Sequence, residues 1–254
     1  MRAAANFRNT RASTVDPGPD FPTFGLGKRL LYIRRDFAPR APIVFERLAA
    51  LEQSPASGAG NRGSGHVIEL EQGVRLFVRR SRRGGLARFA LSELYFGTRP
   101  RPVRELAITS EAHRRGIPVA EPIGAAVEWM APGLYRGSFL SRPLAGMTLW
   151  EFMRTDDDRM VRAHVIAEAR RAVDAMHQLG LFHADLNLHN LFVTKAGEEL
   201  TVVILDLDKA RLFRASLALA LRRRNFARLL RSARKLDRDR QYLDERALTM
   251  LTAP

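Results

Sequence analysis

The chain of 254 residues contains no cysteine, and only four of its 42 basic residues are lysines. Without cysteine it has no disulfide, no thiolate zinc site and no cysteine nucleophile, which fits a reducing compartment. No apolar stretch follows the N-terminus, and no run approaches the ~20 apolar residues that span a bilayer. We therefore expect a folded cytoplasmic protein.

The formal net charge of +15 predicts an anionic partner. Nucleic acid, a lipid headgroup and a phosphorylated small molecule all satisfy that requirement, and charge alone does not choose among them. The basic stretches lack the interleaved aromatic side chains that stack on bases, so we expect no nucleic-acid partner. The 46% of hydrophobic residues is enough for a real core.

Strands are predicted mainly before residue 140 and helices after it. Residues 1–20 have the composition of a flexible tail, residues 21–140 form a predicted β-rich lobe and residues 141–254 a mainly helical one. The stretch "HVIELEQGVRLFVRR" predicts two strands that turn at Glu71–Gly73, directly after a Gly/Ser-rich loop. This order indicates an α+β fold.

Helical periodicity is clear in three segments. Apolar residues recur at helical spacing from Val161 to a stop at Gly180, and a shorter helix is predicted from Pro102 to Gly116. The segment from Leu217 onward is helical and very basic. Its leucines either close the helical lobe or form a membrane-binding face, and both interpretations remain open here.

The octapeptide "HADLNLHN", His183–Asn190, carries the densest group of polar side chains. It precedes a predicted hairpin, "LFVT" followed by "LTVVILDLD", whose antiparallel strands bring Asn190 and Asp206 side by side. Amide and carboxylate oxygens are ligands that Mg²⁺ prefers. Asp185 lies upstream in the same loop, where it is placed to act as a base.

Two other interpretations of the octapeptide are possible. A zinc site built on His183 and His189 would need a third ligand at suitable geometry. Alternatively, the polar side chains only satisfy the backbone groups of a capped loop.

The order of these residues resembles the catalytic pattern of the protein-kinase-like phosphotransferases. The run from His183 to Asn190 resembles H-R-D-L-x-x-x-N, and Asp206-Leu207-Asp208 stands in the place of D-F-G. The loop "GNRGSGHV" stands where a glycine-rich lid covers phosphates, although its spacing departs from the usual one. The resemblance implies a two-lobed protein-kinase-like fold with a small β-rich N-lobe and a short helical C-lobe.

Within that superfamily the chain resembles the sugar kinases of the lipopolysaccharide core, in particular the 3-deoxy-D-manno-octulosonic acid (Kdo) kinases. The stretches that carry the likeness are "FVRRSRRGGLARF", "RGIPVAEPIGA", "LDLDKARL" and "NFARLLRSARK". The resemblance implies a phosphotransferase with an alcohol acceptor that uses ATP and Mg²⁺. Its implied substrate is the anionic glycolipid Kdo-lipid A, phosphorylated at the Kdo 4-hydroxyl by an enzyme peripheral to the inner face of the cytoplasmic membrane in Gram-negative bacteria.

The same resemblance implies a role for each matching residue. Asp185 orients and deprotonates the sugar hydroxyl, while Asn190 and Asp206 hold the metal. Arg79 replaces the usual lysine at the nucleotide phosphates and is oriented by Glu105. Backbone N–H groups near Gly63 and Gly65 cover the phosphates.

Three rival functions stay open at this point. A sibling enzyme that phosphorylates heptose, or another small-molecule kinase of this fold, has the same site. A non-catalytic pseudokinase that binds anionic glycolipid is a rival of another class.

Overall fold

The computed structural model describes residues 8–9, 17–53, 65–81, 94–197 and 199–253. The chain divides into two compact units, of which the first comprises residues 1–107 and 121–143 and the second residues 108–120 and 144–254. The sequence predicted a single division at residue 140. Residues 108–120 group with the second unit because Ala112, Ile117 and Val119 belong to its hydrophobic core.

The first unit is built on a sheet of antiparallel strands. They are β1 (Arg8–Asn9), β2 (Thr23–Leu26), β3 (Arg29–Ile33), β4 (His66–Glu69), β5 (Arg75–Arg80), β6 (Tyr95–Phe96), β7 (Pro122–Ala131) and β8 (Leu134–Ser141). Within the described residues the sheet has eight strands in the order β1-β2-β3-β7-β8-β5-β4, and β6 pairs with β8. The predicted hairpin is present, since β4 and β5 pair across a 3₁₀ turn at Glu71–Gly73.

Helical residues pack on both faces of this sheet. Leu31 and Ile33 pack with α1 (Ala41–Gln53), whereas Tyr32, which points to the opposite face, packs with the first half of α2 (Arg101–Arg114). Helix α2 was predicted from the sequence, whereas α1 was not. A further 3₁₀ turn, Arg35–Arg40, leads into α1.

The second unit is mainly helical, with short strands. Its helices are α3 (Leu149–Thr155), α4 (Arg159–Gln178), α5 (Leu219–Leu236) and α6 (Glu245–Thr252), joined by the second half of α2. Its strands are β9 (Gly146–Thr148), β10 (Leu181–Phe182), β11 (Leu191–Ala196), β12 (Glu199–Ile204) and β13 (Arg211–Leu212). In the described part, β12-β11-β9 form one small sheet and β10-β13 another.

The long predicted helix is α4, and its sequence explains both where it begins and where it ends. Asp158 caps its first turn by accepting hydrogen bonds from the backbone N–H groups of Met160 and Val161. Gly180 ends it with φ = +84°, and a Cβ there would lie 2.6 Å from the carbonyl oxygens of Phe213 and Ala215. Glycine is therefore required where the chain turns toward the octapeptide.

The predicted tail, residues 1–20, lies mostly outside the described residues. Within it, Arg8 and Asn9 pair with Gly25 and Phe24. Among the described helices, none combines the length and the apolar character needed to cross a membrane.

Candidate active site

The octapeptide loop lies between β10 and β11 in the second unit. The register of the β11–β12 hairpin places Leu191 opposite Ile204. The pairing extends one step further, because the Leu205 N–H donates to the Asn190 carbonyl at 2.9 Å. The backbones at positions 190 and 206 are therefore neighbours, as the predicted hairpin requires.

His183 connects the two sides of this hairpin. Its imidazole is 1% exposed, and its Nδ1 accepts a hydrogen bond from the Asp185 N–H at 3.1 Å. The other nitrogen, Nε2, must then carry the proton that it donates to the Leu205 carbonyl at 2.9 Å. Burial lowers the pKa of His183 below its ordinary value. A neutral imidazole thus holds the loop.

Two asparagines fold the loop back on itself. The side-chain Nδ2 atoms of Asn187 and Asn190 both donate to the Asp185 carbonyl, at 2.9 and 2.8 Å. Asn187 Oδ1 in turn accepts from the His189 N–H at 2.9 Å. The amide groups of these two residues therefore satisfy backbone groups of the loop, and Asn190 does so through its Nδ2 and not its oxygen.

The carboxylate of Asp185 differs from its neighbours in the loop. Its side chain is exposed, and among the residues that the structure describes it has no hydrogen-bond partner. Its backbone N–H and carbonyl are both held, by His183 and by the asparagines. The loop thus fixes the main chain at Asp185 and presents the carboxylate to solvent.

Asp206 follows the hairpin with φ = +61°, in the left-handed region. Non-glycine residues adopt this conformation rarely, and such outliers cluster at functional sites. The next residue, Leu207, is 1% exposed and packs in the core of the second unit. Burial of Leu207 therefore helps to fix the backbone at Asp206.

In the first unit, Arg79 on β5 forms an ion pair with Glu105 on α2. The Glu105 side chain is 3% exposed and that of Arg79 24%. A buried carboxylate is costly without a cation, so this pair fixes the guanidinium in place. The sequence predicted the pair, and the contact is present.

Comparison with known proteins decides the family. The model of the lipopolysaccharide kinase (Kdo/WaaP) family matches residues 38–249. The chain belongs to this family. The 3-deoxy-D-manno-octulosonic acid kinase of Xylella fastidiosa (strain 9a5c) is 32% identical over 73% of this chain and 72% of its own. The protein of that name from Stenotrophomonas maltophilia (strain K279a) is 32% identical over 74% and 72%, respectively.

A solved structure described as WaaP in complex with acyl carrier protein shares the fold. It has a TM-score of 0.54 and 19% identity, and the match covers 87% of this chain and 88% of that one. The predicted two-lobed protein-kinase-like fold is confirmed. As a member of the Kdo/WaaP family, the chain is a kinase that uses ATP and requires Mg²⁺.

The residues predicted to hold Mg²⁺ fit a hard cation. The Asn190 amide nitrogen is occupied by the Asp185 carbonyl, which leaves its oxygen as the group available for a metal. Asp206 supplies a carboxylate from the neighbouring strand end. In the described part of the chain no group of three or more His, Asp and Glu residues forms a ready-made metal site, so the predicted zinc alternative has no support.

The glycine-rich loop receives less support. Gly63 lies outside the described residues. Gly65 is described, and a Cβ there would lie 2.1 Å from the Phe77 ring. Packing against Phe77 therefore explains a glycine at position 65, and the predicted role of its backbone N–H at phosphates stays a prediction.

Three polar residues that hold the loop, directly or through another side chain, were not predicted as site residues. They are His177 at the end of α4, and Asn225 and Ser232 on α5. The signal was in the stretch "NFARLLRSARK", where Asn225 stands beside Phe226 and one turn before Leu229, both buried. A polar residue at a core position of a helix needs a partner, and that partner is the octapeptide loop.

Proposed function

We propose that this kinase transfers the γ-phosphate of ATP to a hydroxyl, expected to be the 4-hydroxyl, of the Kdo residue of Kdo-lipid A. The observation that carries the proposal is the exposed Asp185 carboxylate on a loop whose main chain is held on both sides. The sequence relatives named as Kdo kinases support the choice of acceptor.

The proposed catalysis is mostly positioning and charge stabilisation. Asp185 orients the acceptor hydroxyl and accepts its proton as the bond to phosphorus forms. Asn190 and Asp206 would hold Mg²⁺, and the ion would supply positive charge to the transferred phosphoryl group. The Arg79 guanidinium, held by Glu105, donates to the nucleotide phosphates, and unlike lysine it cannot lose its proton. The predicted role of the Gly65 backbone N–H in covering these phosphates is part of this proposal.

An acceptor assay tests the substrate. Purified protein, ATP and Mg²⁺ are incubated with Kdo-bearing lipid A precursor or with a heptosylated acceptor, and mass spectrometry locates the new phosphate. We expect incorporation on Kdo of the first acceptor. Incorporation only into the heptosylated acceptor would refute the Kdo assignment, and none with either would favour a glycolipid-binding pseudokinase.

We further propose that the enzyme works while bound peripherally to the inner face of the cytoplasmic membrane. The inner side of α5 is core, since Phe226 and Leu229 are buried. Its outer side is cationic, and near its start Phe213 and Leu219 are 41% and 53% exposed. Exposed basic residues on α5 are Arg223, Arg224, Arg231, Arg234 and Lys235. Each contributes on the order of 1 kcal/mol at an anionic lipid surface.

Sedimentation with vesicles tests this surface. Wild-type protein should bind vesicles that contain anionic phospholipid and not vesicles of neutral phosphatidylcholine, and the double change Arg223→Gln and Arg224→Gln should weaken that binding. The matched control removes two exposed arginines elsewhere in the second unit, Arg154→Gln with Arg159→Gln. Equal loss in both double variants would mean that only net charge matters and that α5 is not the membrane face.

A further inference from the structure

Asn225 is the most deeply buried polar side chain of α5. It is 0% exposed and lies next to Phe226, on the side of the helix whose other residues pack in the hydrophobic core. Burying an amide without hydrogen-bond partners is destabilising, whereas burying an apolar side chain of similar size is stabilising. The contacts of Asn225 therefore explain why an amide occupies this position.

Both ends of the Asn225 amide are used. Its Nδ2 donates to the His183 carbonyl at 2.5 Å, and its Oδ1 lies 3.2 Å from His177 Nε2. Because a carbonyl only accepts, the amide orientation is determined, and His177 must donate from Nε2. The ring of His177 also meets Phe226 edge to face at 5.0 Å. His177, in the last turn of α4, thus holds the Asn225 amide, and this amide in turn holds the octapeptide loop.

A second contact lies two helical turns along the same helix. The hydroxyl of Ser232 accepts a hydrogen bond from the Leu188 N–H at 3.3 Å. Residues seven apart lie on one face of a helix, so Asn225 and Ser232 face the loop together. They hold His183 and Leu188, which stand before and after Asp185.

We propose that Asn225 and Ser232 are positioning residues, which make α5 the support that fixes the octapeptide loop on both sides of Asp185. This inference rests on the proposed role of Asp185 as the base. An amide suits position 225 because it donates to one neighbour and accepts from the other without carrying charge. An aspartate of the same shape would place a carboxylate oxygen against the His183 carbonyl, where nothing is left to donate.

The test is therefore Asn225→Asp, which preserves size and the acceptor for His177 but removes the donor to the loop. We expect kcat for phosphate transfer to Kdo-bearing lipid A precursor to fall about 10- to 100-fold, as for small misplacements of a reacting group. The KM for ATP should change by a smaller factor than kcat, since Asn225 binds the loop at the His183 carbonyl and not at the proposed metal ligand Asn190. Ser232→Ala should lower kcat by a smaller factor in the same assay.

The matched control is Leu229→Ala, a fully buried position on the same helix whose loss creates a cavity. Circular dichroism during heating identifies a temperature at which each variant is folded, and chemical denaturation at that temperature gives the folded fraction. The kcat is then measured there per folded molecule. A role in stability alone predicts that Asn225→Asp and Leu229→Ala both recover wild-type kcat. The positioning role predicts recovery for Leu229→Ala only.

Wild-type kcat in folded Asn225→Asp would overturn the inference, and so would an equal loss in folded Leu229→Ala. If Asn225→Asp does not fold, the variant Ser232→Ala decides the question, because Ser232 is only half-buried. An unchanged kcat in Ser232→Ala would then overturn the inference. The proposed function is tested separately. Full activity of Asp185→Ala would refute the role of Asp185 as the base. An inactive Asp185→Ala together with a fully active Asn225→Asp would refute only the role of α5.

Discussion

In the first unit, the guanidinium of Arg79 is held by a direct ion pair with the buried carboxylate of Glu105. In the second unit, the Asp185 carboxylate has no direct partner among the described residues, and neutral hydrogen bonds hold the main chain around it. In the first arrangement, the Arg79 side chain contributes both to stability and to the proposed contact with the nucleotide phosphates. The second separates the reactive group from the groups that support it, so chemistry and stability should respond to different substitutions.

The largest expected effect is on catalysis in the second unit. Asp185→Ala should lower kcat by about two to four orders of magnitude, the range for a positioned acid–base group. The free energy of unfolding should stay within about 0.5 kcal/mol of wild type, because the side chain is exposed. Steady-state kinetics and urea denaturation measure the two quantities.

Asp157→Ala is the control for this change. Asp157 is fully exposed in the same unit and carries no proposed role. Activity at wild-type level in Asp185→Ala would show that the exposed carboxylate is not the base, and a large loss of stability would contradict the separation of the two functions.

The next effect concerns the first unit, where one substitution should change both stability and nucleotide binding. Arg79→Met leaves the Glu105 carboxylate buried without this cation, which should cost roughly 2–3 kcal/mol after allowance for the partial exposure of Arg79. The KM for ATP should rise on the order of 10-fold or more, because a charged hydrogen-bond donor to phosphate is lost. Thermal denaturation and ATP titration of the rate test both parts.

Arg79→Lys sharpens this comparison. Lysine retains the charge but loses the planar fork, so stability should recover more than nucleotide affinity does. A variant Arg79→Met that is as stable as wild type would show that the ion pair does not anchor β5 to α2.

Acid should weaken the neutral scaffold of the second unit. Burial lowers the pKa of His177 to about 4, so between that value and its ordinary 6.5 the unfolded chain binds a proton that the folded chain does not. The free energy of unfolding should therefore fall as the pH falls through this window, by roughly 2 kcal/mol from His177 between pH 7 and pH 5. Urea denaturation at each pH measures the slope.

The variant His177→Gln keeps a donor for Asn225 and does not titrate, so its stability should depend less on pH. Identical slopes in wild type and His177→Gln would contradict the buried neutral imidazole.

The smallest effect concerns a carboxylate that is held by neutral donors. Asp237, at the end of α5, accepts backbone N–H bonds from Gln241, Tyr242 and Leu243 at 2.7–3.0 Å. Asp237→Ala should cost about 1–2 kcal/mol by leaving these donors without a partner. The cost should change little with salt, in contrast to that of Arg79→Met, and the exposed Asp239→Ala should cost much less.

Local patterns predicted most of the elements around the site. The 3.6-residue period and the stop at Gly180 predicted α4, and alternating apolar residues with a short turn predicted the hairpins of both units. Helix α1 was missed, although Ala41, Val44 and Leu48 form its core face. The division of the chain was also simpler in the prediction, because only packing shows that residues 112–119 join the core of the second unit.

The sequence by itself determined which chemistry is available: His183, Asp185, Asn190 and Asp206 stand in an order that local strand pairing brings together. Only the tertiary structure decided how that loop is held, since Asn225 lies 42 residues beyond the carbonyl that it binds. The physical reason is the difference in range. Hairpin register follows from neighbours along the chain, whereas satisfying a buried amide depends on which helices pack together, and no local pattern specifies that.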